Sequence, residues 1–75
     1  MLEVVVATPE RVIFEGRAKS VVLPGEKGVF EVLSFHKPII SRLISGRLVV
    51  DEKSFLIRRG IAGIRANRAT IIVEE

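Results

Sequence analysis

The sequence predicts an all-β fold, a small antiparallel β-sandwich or flattened barrel of about nine to ten short strands. Apolar β-forming residues occur in short runs, and almost nowhere at helical spacing. Proline, glycine and asparagine separate these runs at regular intervals. The chain has 75 residues and no linker or internal repeat, so a single domain covering residues 1–75 is expected.

The first part of the chain predicts three strands. Valine-rich residues 2–8 form the first, and Pro9 ends it. Residues 12–15 form the second, which Gly16 is expected to close. Residues 17–23 form the third.

A glycine turn separates the third strand from the fourth. Pro24 has no amide to donate and Gly25 accepts a positive φ, so this pair is expected to stop the third strand. The turn ends at Gly28, and residues 29–33 restart a strand. Residues 34–37 are predicted to be a loop, which Pro38 closes.

The segment 39–44 allows two interpretations. Its apolar residues alternate poorly and also fit one face of a helix. Six residues between Pro38 and Gly46 are too few for a stable helix, so a strand is favoured.

The last third of the chain predicts four further strands, one of which carries Gly60 and Gly63. Segments 46–50 and 53–58 flank a two-residue turn at Asp51-Glu52. Gly60 and Gly63 indicate a bulge or a close backbone approach. A turn at Asn67-Arg68 leads to a last strand, 69–73.

Composition limits the functional classes. The net charge is +3, but 9 acidic residues are mixed among 12 basic ones, so a solvated surface is favoured over a dedicated anionic partner. The absence of cysteine excludes disulfides and thiolate metal sites. No apolar run reaches the roughly 20 residues of a membrane span, and the first residues lack the basic region of a signal peptide. A cytoplasmic location is therefore expected.

Catalysis and cofactor binding are not predicted. His36 is the only histidine, and its possible acid partners are Glu26 and Glu31. A hydrogen bond that orders the loop is the favoured role for His36. One histidine with scattered carboxylates matches no metal-ligand spacing, and the glycines match no nucleotide-binding motif.

Binding of single-stranded nucleic acid is the alternative from another functional class. It would need a cationic stripe with aromatic platforms. Four arginines could form the stripe: Arg58, Arg59, Arg65 and Arg68. Three phenylalanines lie in apolar patterns and are predicted core residues: Phe14, Phe30 and Phe55. Phe35 lies in the predicted loop, where burial and an exposed anchor are equally favoured.

Three motifs carry a resemblance to a known family. The pattern LPGxxGxFxVLxxHxP over residues 23–38 resembles the signature hairpin of the epsilon subunit of F-type ATP synthases, in its N-terminal β-sandwich domain. The segments TPERVIFEG (8–16) and RRGIAGIRANRATIIVEE (58–75) resemble the family's opening and closing segments. Several positions depart from the family pattern. Glu31 and Arg59 replace glycines, Ser34-Phe35 replaces Pro-Gly, and Gly63 replaces a glutamate.

The resemblance implies a structural function. In the family this sandwich lies in the rotary central stalk, between the gamma subunit and the ring of c subunits, and couples ion-driven rotation to ATP synthesis. It performs no bond chemistry and lies peripherally on the inner face of the membrane. A pair of C-terminal helices usually follows the sandwich, whereas the resemblance here ends at Glu75 without them.

The resemblance also implies an interface. The end of the sandwich near the turn at Gly28 is expected to face the c-ring or the gamma subunit. Phe35 is the expected anchor, and Lys27 and Lys37 would supply rim charges. The expected interface residues are Glu26, Lys27, Val29, Glu31, Phe35, His36 and Lys37. The opposing possibility is that Phe35 folds inward and fills the open end of the sandwich.

Overall fold

The computed structural model describes all 75 residues and consists of nine β-strands joined by turns and short loops. The strand content confirms the predicted all-β class. The strands are β1 (Leu2–Ala7), β2 (Val12–Ala18), β3 (Ser20–Gly25), β4 (Gly28–Leu33), β5 (Ile39–Leu43), β6 (Gly46–Val50), β7 (Lys53–Ile57), β8 (Arg59–Arg65) and β9 (Arg68–Glu74).

The strands form one curled sheet with two halves. Sheet I has the order β2-β1-β9-β8-β5, and sheet II has the order β4-β3-β6-β7. The halves join where Gly25 of β3 pairs with Leu43 of β5. The adjacent Glu26 amide donates to the Arg42 carbonyl at 3.0 Å. All pairs are antiparallel except β1–β9, which brings the first and last strands side by side.

Period-two alternation places the core between the halves. In β9, Ala69, Ile71 and Val73 are buried while their neighbours are exposed, and β1 alternates in the same way. Sixteen buried residues form one hydrophobic cluster to which both halves contribute, and no charged or polar residue is buried. Each sheet therefore has one core face and one outer face.

Aromatic rings close one side of the sandwich, between edge strands β2 and β7. The Phe14 and Phe55 rings lie 6.5 Å apart in a tilted arrangement. The Lys53 ammonium lies 5.3 Å from the centre of the Phe14 ring. The sequence predicted Phe14, Phe30 and Phe55 as core residues. All three are half-buried and pack against the core.

The turns lie at two ends of the sandwich. We call these the Asn67 end and the Pro9 end. At the Asn67 end, Asp51 Oδ1 accepts the backbone amides of Lys19 and Ser20 at 2.9 and 3.1 Å. The Asn67 end comprises residues 1, 19, 34–37, 51–52 and 66–67, and the Pro9 end comprises residues 9–11, 26–27, 44–45, 58 and 75.

Two strand boundaries predicted from local residues were wrong. Gly16 does not close a strand but lies within β2, paired with Val4. β3 does not stop before Pro24 but includes Pro24 and ends at Gly25. The Pro24 carbonyl accepts the Ile44 amide at 2.8 Å, between β5 and β6. The backbone nitrogen of Pro24 faces the same way, away from β4, so the absence of an N–H there does not interrupt the pairing of β3 with β4.

Gly60 of β8 makes the close backbone approach that was one of the two predicted alternatives, whereas the turn after β8 differs from the prediction. β8 keeps a regular register with β5 and β9 through Gly60 and Gly63, so no bulge forms there. The irregularity lies in the β1–β2 pair, at Val6/Ala7. The β8–β9 turn is Ala66-Asn67, one residue earlier than predicted.

We predict that Gly60→Ala destabilises the fold by about 1–3 kcal/mol. A Cβ at this position would lie 2.5 Å from the Ile72 carbonyl oxygen, which belongs to the backbone and cannot move freely. Urea unfolding measures the difference. Gly63→Ala is the matched control in the same strand, because a Cβ there meets nothing within 4 Å. Equal losses in both variants would contradict the close-approach explanation.

Candidate docking surfaces

The seven residues predicted for the interface follow strand β4 and its two flanks. β4 pairs only with β3, so its other edge is open. Val29 and Glu31 point outward from β4, and Val29 is 74% exposed. This strand is therefore an edge with an exposed apolar side chain, a feature that invites contact with another protein.

The structure does not bring the seven residues to one end. Glu26 and Lys27 form the β3–β4 turn at the Pro9 end. Phe35, His36 and Lys37 lie beyond the other terminus of β4, at the Asn67 end. The six residues of β4 separate the two groups by about 20 Å. The predicted interface residues thus line one edge of the sandwich from end to end.

Phe35 is the most exposed large apolar residue of the chain. Its side chain is 82% exposed, so it does not fill the end of the sandwich. Its φ is 62°, in the left-handed region where a bulky residue costs of order 1–3 kcal/mol. The resemblance places a glycine at this position, which would adopt the same conformation without that cost. An exposed aromatic held in a strained conformation is a candidate anchor.

His36 orders its own loop. Its Nδ1 lies 2.7 Å from the Lys37 carbonyl oxygen. A carbonyl only accepts, so Nδ1 carries the proton and donates it to this bond. This is a hydrogen bond within the loop, of the kind predicted for His36, and the predicted interface role of His36 stays a prediction.

Asn67 ties three segments together at this end. Its Oδ1 accepts the Phe35 amide at 2.9 Å, and its Nδ2 donates to the Met1 carbonyl at 2.8 Å. Its backbone carbonyl accepts the Glu3 amide at 3.1 Å. Ala66 and Asn67 both have positive φ, 52° and 58°, as a tight hairpin turn of this length requires. The sequence indicated a turn residue here but not its contacts with the loop and β1.

The outer face of sheet II carries an apolar patch, which we call the sheet II patch. Val29, Leu33 and Leu56 are 74%, 52% and 67% exposed. Glu31 and Arg47 are the only charged residues that point outward from these strands, and Arg47 Nη1 donates to Ser54 Oγ at 2.9 Å. The patch consists of Val22, Val29, Leu33, Val49 and Leu56.

The outer face of sheet I has a different character. An apolar centre of Ile40, Ile61 and Ile72 lies between charged residues at both ends. Ion pairs join Arg59 to Glu74 and Arg68 to Glu3, each at 3.0 Å. These pairs are exposed, so each contributes only about 0.2–1 kcal/mol.

The nucleic-acid alternative is not supported. Arg58 and Arg59 lie at the Pro9 end, whereas Arg65 and Arg68 flank the turn at the Asn67 end. Exposed Ile61 lies between the two groups, so the arginines form no continuous stripe. Only one of the four phenylalanines, Phe35, is exposed as a stacking platform.

No three His, Asp or Glu side chains are grouped as metal ligands. The structure has no helix with the length and apolarity needed to cross a membrane.

A family model matches the chain from residue 1 to residue 75. Its description is "ATP synthase, Delta/Epsilon chain, beta-sandwich domain". The match therefore covers all nine strands and both outer faces.

Curated relatives share about a third of their residues with this chain. The ATP synthase epsilon chain of Chlorobaculum tepidum is 33% identical over 75 residues, which are 93% of this chain and 85% of the relative. That of Nitratiruptor sp. is 37% identical, with 97% of this chain and 60% of the relative aligned. The chloroplastic epsilon chain of Tetradesmus obliquus is 35% identical, with 99% and 57% aligned. The chain thus spans most of the first relative and less than two thirds of the other two.

Two solved structures share the fold. A chain of the Tetrahymena thermophila mitochondrial ATP synthase central stalk and c-ring matches with a TM-score of 0.80 and 20% identity, covering 99% of this chain and 63% of that one. A chain of the Euglena gracilis mitochondrial ATP synthase matches with a TM-score of 0.90 and 17% identity, covering 99% and 51%.

We predict that Asn67→Gly frees the Phe35 loop. Glycine keeps the positive φ of the turn but removes both side-chain hydrogen bonds, so the Phe35 amide should exchange with solvent at least about tenfold faster. Amide hydrogen exchange followed by NMR measures this. Ala66→Gly is the matched control, because it changes the other turn residue and removes no side-chain hydrogen bond. Faster exchange in both variants would contradict the role of the Asn67 side chain.

Proposed function

Because the chain belongs to the delta/epsilon β-sandwich family of ATP synthases, we propose that it is a non-catalytic part of the rotary central stalk of an F-type ATP synthase. It links the gamma subunit to the ring of c subunits, so that ion-driven rotation reaches the sites of ATP synthesis. The observation that carries this proposal is the family match over residues 1–75. The chain acts as one sandwich domain, held peripherally on the inner, cytoplasmic face of the membrane through the complex.

The surface area of the chain is compatible with a domain that binds two partners. A standard protein interface buries about 800 Å² on each partner, roughly a sixth of the 5013 Å² surface of this chain. Two such interfaces would together cover about a third of the surface. A domain of 75 residues also has a thin stability margin, which partner subunits would increase.

The sheet II patch is the surface proposed to bind the gamma subunit. It is the face with the fewest charges, and desolvating it costs less than desolvating the outer face of sheet I. Its exposed aliphatic side chains, including Val29 and Leu56, gain from burial at about 25 cal/mol per Å².

The Phe35 loop is proposed to contact the ring. Phe35 presents a large contact area on a loop that Asn67 and His36 already order, so little entropy is lost on binding. Lys37 lies beside it as a rim charge, which helps orient the partner and weakens with salt.

We predict that Leu56→Glu weakens binding to the gamma subunit by at least about tenfold. The side chain is 67% exposed, so the fold should tolerate the charge while the apolar patch does not. Titration of the gamma subunit in a pull-down, with a melting curve for each variant, measures both effects. Ile40→Glu is the matched control, because Ile40 is 81% exposed on the outer face of sheet I. A larger loss in the control would assign gamma binding to sheet I instead.

We predict that Phe35→Ala weakens association with the detergent-solubilised c-ring by at least about tenfold, with an unchanged melting temperature. The exposed ring makes little contact with the folded domain, so its removal should not alter stability. Ile44→Ala, an exposed apolar residue at the Pro9 end, is the control. Unchanged ring binding by the Phe35 variant would refute the anchor.

A further inference from the structure

Four charged residues stand side by side across sheet I at the Asn67 end. They occupy adjacent strands in the order Arg17 (β2), Glu3 (β1), Arg68 (β9) and Arg65 (β8). Each is in register with the next, and all four point to the outer face. Their charges therefore read positive, negative, positive, positive across about 15 Å of sheet.

Positive charges outnumber negative charges in this row. Glu3 Oε1 bonds Arg68 Nη2 at 3.0 Å, while Arg17 and Arg65 form no ion pair. Glu15 lies two residues from Arg17 on the same face and forms no ion pair either. Three arginines and one glutamate leave a net charge of +2 in this row, compared with +3 for the whole chain.

The geometry keeps two of the positive charges together. Arg65 and Arg68 are directly opposite each other beside the Ala66-Asn67 turn, and like charges in this arrangement are destabilising. The Asn67 side chain anchors that turn to Met1 and to the Phe35 loop, so the two strands cannot relieve the repulsion by fraying. A bound anion would relieve it.

An open basin lies beside this pair. It has a volume of about 540 Å³, within the range of small-molecule sites. Its floor is open at Gly63, where a Cβ would meet nothing within 4 Å. Thr70 pairs with Gly63 across the strands, is exposed, and its hydroxyl makes no hydrogen bond within the chain. Arg17, Arg65 and Arg68 all line the basin.

We propose that this arginine basin binds a phosphate-bearing anion. The Arg65 guanidinium, which has no ion-pair partner, would hold phosphate oxygens in bidentate fashion, the geometry for which arginine is suited. Arg68 bonds Glu3, which also lines the basin, through Nη2 and would contribute its remaining N–H donors. Arg17 adds a third cation, and the Thr70 hydroxyl is a free donor. The same chemistry fits a soluble polyphosphate or the headgroup of an anionic phospholipid. The proposal is independent of the stalk function.

Two probes test the basin with the full chain. Calorimetric titration with pyrophosphate tests a soluble ligand. Flotation with phosphatidylcholine vesicles, with or without phosphatidylglycerol, tests a lipid headgroup. Saturable binding with a Kd below about 1 mM is expected for at least one probe. Binding of pyrophosphate alone assigns a soluble ligand, binding to anionic vesicles alone assigns a lipid, and binding of both assigns the phosphate group itself.

Matched substitutions locate the site. Arg65→Gln should weaken binding at least about tenfold, the usual effect of losing a charged hydrogen-bond donor. Arg42→Gln makes the same charge change at the far end of the same face, also at an arginine without an ion pair, and should leave binding within about twofold. Melting curves verify that both variants are folded.

Three results would overturn the proposal. The first is no saturable binding of either probe. The second is an equal loss in the Arg65 and Arg42 variants, which would indicate general charge attraction. The third is binding of a polyglutamate peptide as tight as pyrophosphate and equally dependent on Arg65, which would assign the basin to an acidic segment of a partner protein.

Discussion

The structure depends on strand β3, because one of its two edges pairs with two different strands, β5 and β6. One edge of β3 pairs with β4 along its whole length, while the other pairs with β6 at Val21 and Val22 and with β5 at Gly25. This sharing curls one sheet into two facing halves. Gly25 permits it, because a Cβ there would lie 2.7 Å from Cε1 of the Phe30 ring and 2.8 Å from the Gly28 carbonyl oxygen. Any larger residue at position 25 would displace either the Phe30 ring, which packs against the core, or the β3–β4 turn.

Local sequence patterns predicted the class of the fold and most strands. Alternation in β1 and β9 follows from burying one face, so the pattern is visible in the residues themselves. The errors fell at Gly16, Pro24 and Gly25, where the residue type disfavours a strand. There, pairing with the neighbouring strand outweighs local preference, because a paired segment gains ladder hydrogen bonds that the isolated segment lacks.

The candidate surfaces were only partly visible in the sequence. Phe35 was singled out because it lies in a loop bounded by a proline, but the sequence left burial and exposure equally favoured, and only the structure shows that it is exposed. Neither the Asn67 contacts nor the arginine row could be predicted in this way. The Asn67–Met1 and Arg68–Glu3 contacts arise from the parallel β1–β9 pairing and join residues 66 and 65 positions apart, and the Phe35–Asn67 hydrogen bond joins residues 32 positions apart. No pattern within a short window encodes that register.

The same geometry determines which functions can influence one another. The molecule measures 27 × 26 × 21 Å, so its two outer faces are separated by more than the Debye length of about 8 Å at physiological salt. Charge bound in the arginine basin is therefore screened from the sheet II patch. The basin and the Phe35 loop, in contrast, are in direct contact through Asn67. Its side chain bonds the loop, and its backbone forms the turn that precedes Arg68. Asn67 thus links the turn beside the proposed anion site to the loop that carries the proposed ring anchor.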